Sequence, residues 1–148
     1  MADITRTATA VWDGPLLTGS GTFTVNSGAI PQQAVSWAAR TEEPNGKTSP
    51  EELLAAAHAS CFAMAFSATL GRAKTPPEQL TVTSVVTFAP KEGGGFRVAS
   101  SALTVRGKVP GVDQAQFAAL AKQGEAGCPV SNALRGNVDI TVEAILEA

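Results

Sequence analysis

Polar and apolar positions divide the chain into strand-like stretches flanking one long apolar run. Thr, Val and Ala crowd residues 5–12, and Asp13-Gly14-Pro15 breaks the run. Gly21-Thr22-Phe23-Thr24-Val25 alternates at period two, and Asn26-Ser27-Gly28 closes it as a turn. Residues 34–39 predict a further short strand ending at Arg40, with a polar loop over 41–47. In the second half, residues 80–88 read as a strand, Lys91-Glu92-Gly93-Gly94-Gly95 as a hairpin loop, and 96–109 as the returning strand. Pro110-Gly111 turns the chain, and Asp113 caps a helix reaching about residue 122, with Phe117, Leu120 and Ala121 on one face. Cys128-Pro129 opens a short helix through residue 134, and 138–146 alternates as a last strand.

The middle is different. Residues 53–70 contain no acid, lysine or arginine. Ser49 is placed to N-cap a helix there, Pro50 suits the first helical position, and Glu52 completes a capping box. That register leaves Glu51 free for another task, and Gly71 is the expected end. The run touches the length of a membrane span. Its Ala and Ser content, His58 at depth and the lack of a second span argue instead for a soluble protein without a membrane partner. A helix apolar all round needs protein on nearly every side. A chain of 148 residues has difficulty supplying that alone, so a second copy is a natural source of cover. The expected class is α+β, with antiparallel sheet against a central helix in a single domain over residues 1–148.

Composition narrows the partners. The net charge is −2 and the basic residues are scattered, which argues against nucleic acid. Two cysteines are too few for a secreted disulfide scaffold. No basic segment followed by an apolar stretch opens the chain, so no signal peptide is expected and a cytoplasmic setting with reduced thiols is. No phosphate loop, dinucleotide fingerprint or G-x-S-x-G elbow is present, so no cofactor is expected. Cys61, Cys128 and His58 lack the spacing of a metal site, and no metal is expected either.

The two cysteines carry the candidate chemistry. A free thiol has a pKa near 8.5 and is only about 3% thiolate at neutral pH. Cys61 sits well past the first turn of its helix, beyond reach of the helix dipole, and burial would raise its pKa. A cation must therefore be near, or Cys61 is a small hydrophobe. His58, one turn before it, would make a Cys-His dyad or a packed core histidine. Arg40 is the better candidate, unless it is a solvated edge charge. Glu51 precedes Cys61 by about 15 Å along one helix, at roughly 1.5 Å per residue. It could reach the Cys61 of a second chain whose helix runs antiparallel and orient Arg40 there, or be only a first-turn glutamate. Cys128, at an N-cap in what reads as an exposed, movable turn, could attack a sulfenic acid on Cys61.

Thr48-Ser49-Pro50-Glu51-Glu52-Leu53-Leu54-Ala55-Ala56-Ala57-His58-Ala59-Ser60-Cys61-Phe62 and Ala126-Gly127-Cys128-Pro129-Val130-Ser131 resemble the two cysteine signatures of the OsmC/Ohr family of thiol-dependent hydroperoxide reductases. Trp12-Asp13-Gly14, Gly19-Ser20-Gly21-Thr22, Ser27-Gly28 and Val109-Pro110-Gly111-Val112-Asp113 fit its OsmC branch. The resemblance implies an intertwined homodimer, with antiparallel sheets wrapped around long central helices and two sites at the interface. It implies Cys61 as peroxidatic thiolate, Cys128 as resolving thiol, Glu51 as the motif glutamate and Arg40 as the arginine taken from just before the loop into the helix. It implies organic hydroperoxides as substrates, hydrogen peroxide less so, and an external dithiol of lipoyl type as reductant. The alternatives are a non-catalytic stress-response or small-ligand-binding protein on the same fold, and a Cys-His hydrolase.

Overall fold

The computed structural model describes all residues, 1–148. Its contacts divide the chain into two compact units, Met1–Leu53 and Leu54–Ala148.

In the first unit, β1 (Ala8–Asp13), β2 (Ser20–Val25) and β3 (Gln33–Val35) form an antiparallel sheet in that order. The alternation in β2 turns Gly21 and Phe23 inward. Gly21 pairs with Trp12, and a Cβ on it would lie 2.7 Å from the indole ring, so only glycine fits. The strand expected over 34–39 stops at Val35. The Ser36 hydroxyl accepts the Ala39 amide at 3.1 Å and caps a short helix instead, α1 (Trp37–Thr41), so Arg40 lies in a helical last turn rather than at a strand end.

The long helix α2 (Pro50–Arg72) begins in this unit and continues into the second. Ser49 Oγ accepts the Glu52 amide at 3.2 Å, as expected of the cap. The return half of the capping box is replaced: Glu52 accepts the Thr48 hydroxyl at 2.7 Å. Gly71 does not end the helix. Lys74, at φ +64°, does so, with Thr75 N–H donating to the Leu70 carbonyl and Lys74 N–H to Gly71. One stripe, His58, Phe62, Phe66 and Leu70 at i, i+4 spacing, is fully buried. By length and composition α2 could cross a membrane, yet only 28% of its most apolar stretch is buried within this chain.

In the second unit, β4 (Gln79–Pro90) and β5 (Phe96–Lys108) form the expected antiparallel hairpin, and β6 (Asp139–Leu146) joins β5. The β5–β6 pairing is parallel, which differs from an all-antiparallel expectation. The cause is the intervening pair α3 (Gln114–Ala126) and α4 (Pro129–Leu134), a helical crossover long enough to bring the chain back to its starting end. Asp113 and Gln116 form a complete capping box on α3. The helix outruns its expected end and takes in Gly124, where a Cβ would come 2.9 Å from Phe66 Cα. Phe66 stacks on Phe62 with ring centroids 5.7 Å apart and meets Phe117 tilted, with centroids 5.2 Å apart. These rings, Leu70, Leu103, Val105, Val109, Ala121 and Cys128 make the core, and Cys61 packs against it.

Candidate active site

Two pairs of site residues meet, one in each unit. In the first unit α1 presents Arg40 to the opening turn of α2. Arg40 Nε lies 3.2 and 3.1 Å from the two oxygens of Glu51, and its terminal nitrogen donates to Oε1 at 2.7 Å. This forked contact fixes the plane of the guanidinium, and the Trp37 ring lies 5.9 Å from its central carbon. Glu51 is buried while Arg40 keeps about a third of its side chain, 31%, exposed, so the charge stays presentable. Trp12, Leu16, Val35, Trp37, Arg40 and Pro50 line a groove of about 280 Å³.

In the second unit Cys128 donates to Cys61 across 3.3 Å between sulfurs, and both are free thiols. Cys128 is the N-cap of α4, its Sγ accepting the Ser131 amide at 3.5 Å, with Pro129 opening the helix. The expected exposed thiol is not found. The turn around it is exposed, but Cys128 itself has no accessible surface, because its side chain points inward against Cys61 and the core. Cys61 is half-buried. Burial pushes its thiol up, a hydrogen bond with the Val130 backbone pulls the other way, and neighbouring Cys128 adds to the rise. Among these influences only the Val130 contact favours a thiolate. Beside Cys61, Met64, Ala65, Ala68, Thr69, Arg72 and Pro129 line a cavity of about 390 Å³ whose walls are mostly apolar.

His58 is not a partner of Cys61. It is fully buried, with Nδ1 at 2.6 Å from Ser101 Oγ and Nε2 at 2.7 Å from Ser131 Oγ. Both ring nitrogens are occupied, so neither is free to activate a thiol, and burial holds its pKa below the usual histidine range, opposed in part by Glu125. The dyad reading yields to the packed histidine. Ser101, Ser131 and Trp37 were not singled out by sequence reasoning. Ser131 stands three residues past a cysteine N-cap, a spacing that accounts for its amide on Cys128 Sγ and carries no signal of its hydroxyl on His58.

The OsmC-like protein family matches residues 43–143. This chain belongs to that family. Among its relatives, peroxiredoxin OsmC of Escherichia coli (strain K12) is 38% identical over 131 residues, covering 88% of this chain and 90% of that protein. An organic hydroperoxide resistance protein of Xanthomonas axonopodis pv. citri (strain 306) is 36% identical over 96 residues, covering 64% of this chain and 65% of that protein. Among solved structures, an organic hydroperoxide resistance protein OsmC from Legionella pneumophila superposes with a TM-score of 0.76 at 27% identity, covering 98% of this chain and 99% of the other.

Proposed function

We propose that this OsmC-like protein is a cysteine-based peroxidase that reduces organic hydroperoxides, and hydrogen peroxide less well. The names of its relatives, peroxiredoxin and organic hydroperoxide resistance protein, support a peroxidase-type oxidoreductase. The observation that carries the reading is the 3.3 Å separation of the Cys61 and Cys128 sulfurs, two reduced thiols brought within reach of one another from distant parts of the chain. Cys61, the more exposed of the two, attacks the distal oxygen of ROOH. The O–O bond breaks, the alcohol leaves with a proton, and Cys61 becomes a sulfenic acid. Cys128 condenses with it, water leaves, and an external dithiol, of lipoyl type, restores both thiols. The apolar walls beside Cys61 favour an organic R group.

Activation of Cys61 needs a cation, since burial works against the thiolate. We infer that Arg40, held by Glu51, supplies it from a partner subunit. An unbroken α2 keeps Glu51 about 15 Å of helix rise from Cys61 of its own chain. An antiparallel α2 from a second copy would close that gap. The outer face of α2 supports such a homodimer: Ala56, Ala57, Ser60, Ser67 and Ala68 are small, and Met64 is 70% exposed. β1 is exposed along its whole length as well. In this reading the two units of each chain work as one domain, in the cytoplasm.

The test is stoichiometric. A few equivalents of cumene hydroperoxide should remove both thiols per chain with a mass loss of two hydrogens, and dihydrolipoamide should restore them. Unchanged thiols would leave a non-catalytic, ligand-binding protein on this fold.

A further inference from the structure

His58 takes no part in the chemistry above, yet it is buried at the centre of a polar chain that ends beside the sulfurs. Ser84 Oγ on β4 lies 3.0 Å from Ser101 Oγ on β5. Ser101 Oγ lies 2.6 Å from His58 Nδ1 on α2, and His58 Nε2 lies 2.7 Å from Ser131 Oγ on α4. The Ser131 amide in turn donates to Cys128 Sγ. His58, Ser101 and Ser131 have no accessible surface. A neutral imidazole donates from one nitrogen and accepts at the other, and a serine hydroxyl can serve either role, so every link can be satisfied.

The link to α4 matters because α4 cannot hold itself. It spans Pro129–Leu134, far shorter than a helix stable in water on its own. Its place is set by what ties it down. The Ser131 hydroxyl ties α4 to His58 on α2, and the Ser131 amide, held by the N-cap sulfur, joins that tie to Cys128. A disulfide needs its sulfurs about 2.05 Å apart with a restricted dihedral. From 3.3 Å, that is a short approach if α4 is held and a search if it is not.

We propose that His58 is a positioning residue for the resolving step, fixing α4 through Ser131 so that Cys128 stands ready to close on Cys61. The inference rests on the reading that these two cysteines form a disulfide. The step it serves is Cys61–SOH plus Cys128–SH giving the disulfide and water. The Cys128 sulfur bonds the Cys61 sulfur, the S–O bond breaks, and the departing hydroxide takes the thiol proton. His58 touches neither sulfur. It acts by limiting where α4 can go in the reduced protein.

The test compares wild type with Ser131→Ala, His58→Asn and His58→Gln. A glutamine amide reaches about as far as Nε2 and can keep Ser131; an asparagine amide reaches only to the Nδ1 position and keeps Ser101 alone. Each protein is equilibrated with reduced and oxidised glutathione, and the Cys61–Cys128 disulfide is quantified by mass. Ser131→Ala and His58→Asn should lower the equilibrium constant for closure about tenfold, a potential about 30 mV less negative. His58→Gln should stay within about twofold of wild type, a shift under ~10 mV. A purely structural loss weakens reduced and oxidised forms alike and leaves this constant unmoved. Equal constants for wild type, Ser131→Ala and His58→Asn overturn the proposal. Should His58→Asn fail to fold, Ser131→Ala decides alone, since it leaves the histidine in place. Glutathione supplies the oxidant, so a wild-type protein that closes its disulfide here but ignores hydroperoxide would strike the proposed function and not this one.

Discussion

The Arg40–Glu51 pair and the Cys61–Cys128 pair are built on opposite principles. Arg40 is held by a forked contact to a buried carboxylate, in charge-assisted bonds as short as 2.7 Å, and its guanidinium remains partly exposed. The thiols face each other across 3.3 Å, with burial pushing the Cys61 thiol up. One pair has charge fixed in place and no nucleophile. The other has a nucleophile with no charged group in direct contact, the nearest cation on its cavity wall being Arg72, which donates to Thr69. Under the proposed function each compact unit holds half of what a thiolate peroxidase requires, and the difference between the pairs is what makes the reactivity of Cys61 depend on assembly in that proposal.

Removing the nucleophile should have the largest effect. Cys61→Ser is expected to abolish hydroperoxide reduction down to the uncatalysed rate, read by peroxide consumption with dihydrolipoamide present. Cys128→Ser should allow one round of Cys61 oxidation and stop turnover, seen as a dimedone-trappable sulfenic acid. Disabling the charged pair comes next. Arg40→Ala should leave about ten- to a thousandfold less thiolate below the new pKa, as loss of a cation near a thiol predicts. Absorbance near 240 nm against pH reads it directly, and an unchanged titration would place the cation elsewhere. The packing that seats the thiol pair is a smaller lever. Gly124→Ala puts a methyl 2.9 Å from Phe66 Cα and should cost about 1–3 kcal/mol by overpacking, measured by denaturant unfolding.

The smallest effect is in acid. Burial lowers the His58 pKa in the folded protein, so below its ordinary value of about 6.5 the unfolded chain binds the extra proton first. Stability should be at its full value above that pH and fall as pH drops toward the folded pKa. His58→Gln should flatten this part of the profile. An identical slope in both proteins would mean that His58 is not the group taking up the proton.

Much of the fold was legible because local chemistry dictated it. Ser49-Pro50 starts α2, Asp113 with Gln116 starts α3, and Cys128-Pro129 starts α4 in each case by satisfying amides that have no helical partner. What was not legible depended on distant contacts. Residues 36–39 read as strand by composition, but Ser36 acting as a cap made them helix. The parallel β5–β6 pairing follows from a crossover whose direction no single stretch encodes. Cys128 read as exposed because Gly127 and Asn132 are, while its inward turn depends on Cys61, on another element altogether. An Arg40–Glu51 contact was expected only across two chains, with a plain first-turn glutamate as the alternative, and it is found within one; the serine partners of His58 were not expected, since nothing near residues 101 or 131 in the chain points to residue 58.

The most direct test of activation across subunits is complementation. Arg40→Ala and Cys61→Ser chains, each with its own tag, are co-expressed, and the mixed dimer is purified through both tags. If Arg40 acts on the partner's thiol, the mixed dimer joins an intact Cys61 from one chain to an intact Arg40 from the other. It should then regain about half of the wild-type turnover with cumene hydroperoxide, although each homodimer is crippled. A mixed dimer no more active than the Arg40→Ala homodimer would show that the cation and the thiol must lie in the same chain, and the two-subunit site would be wrong.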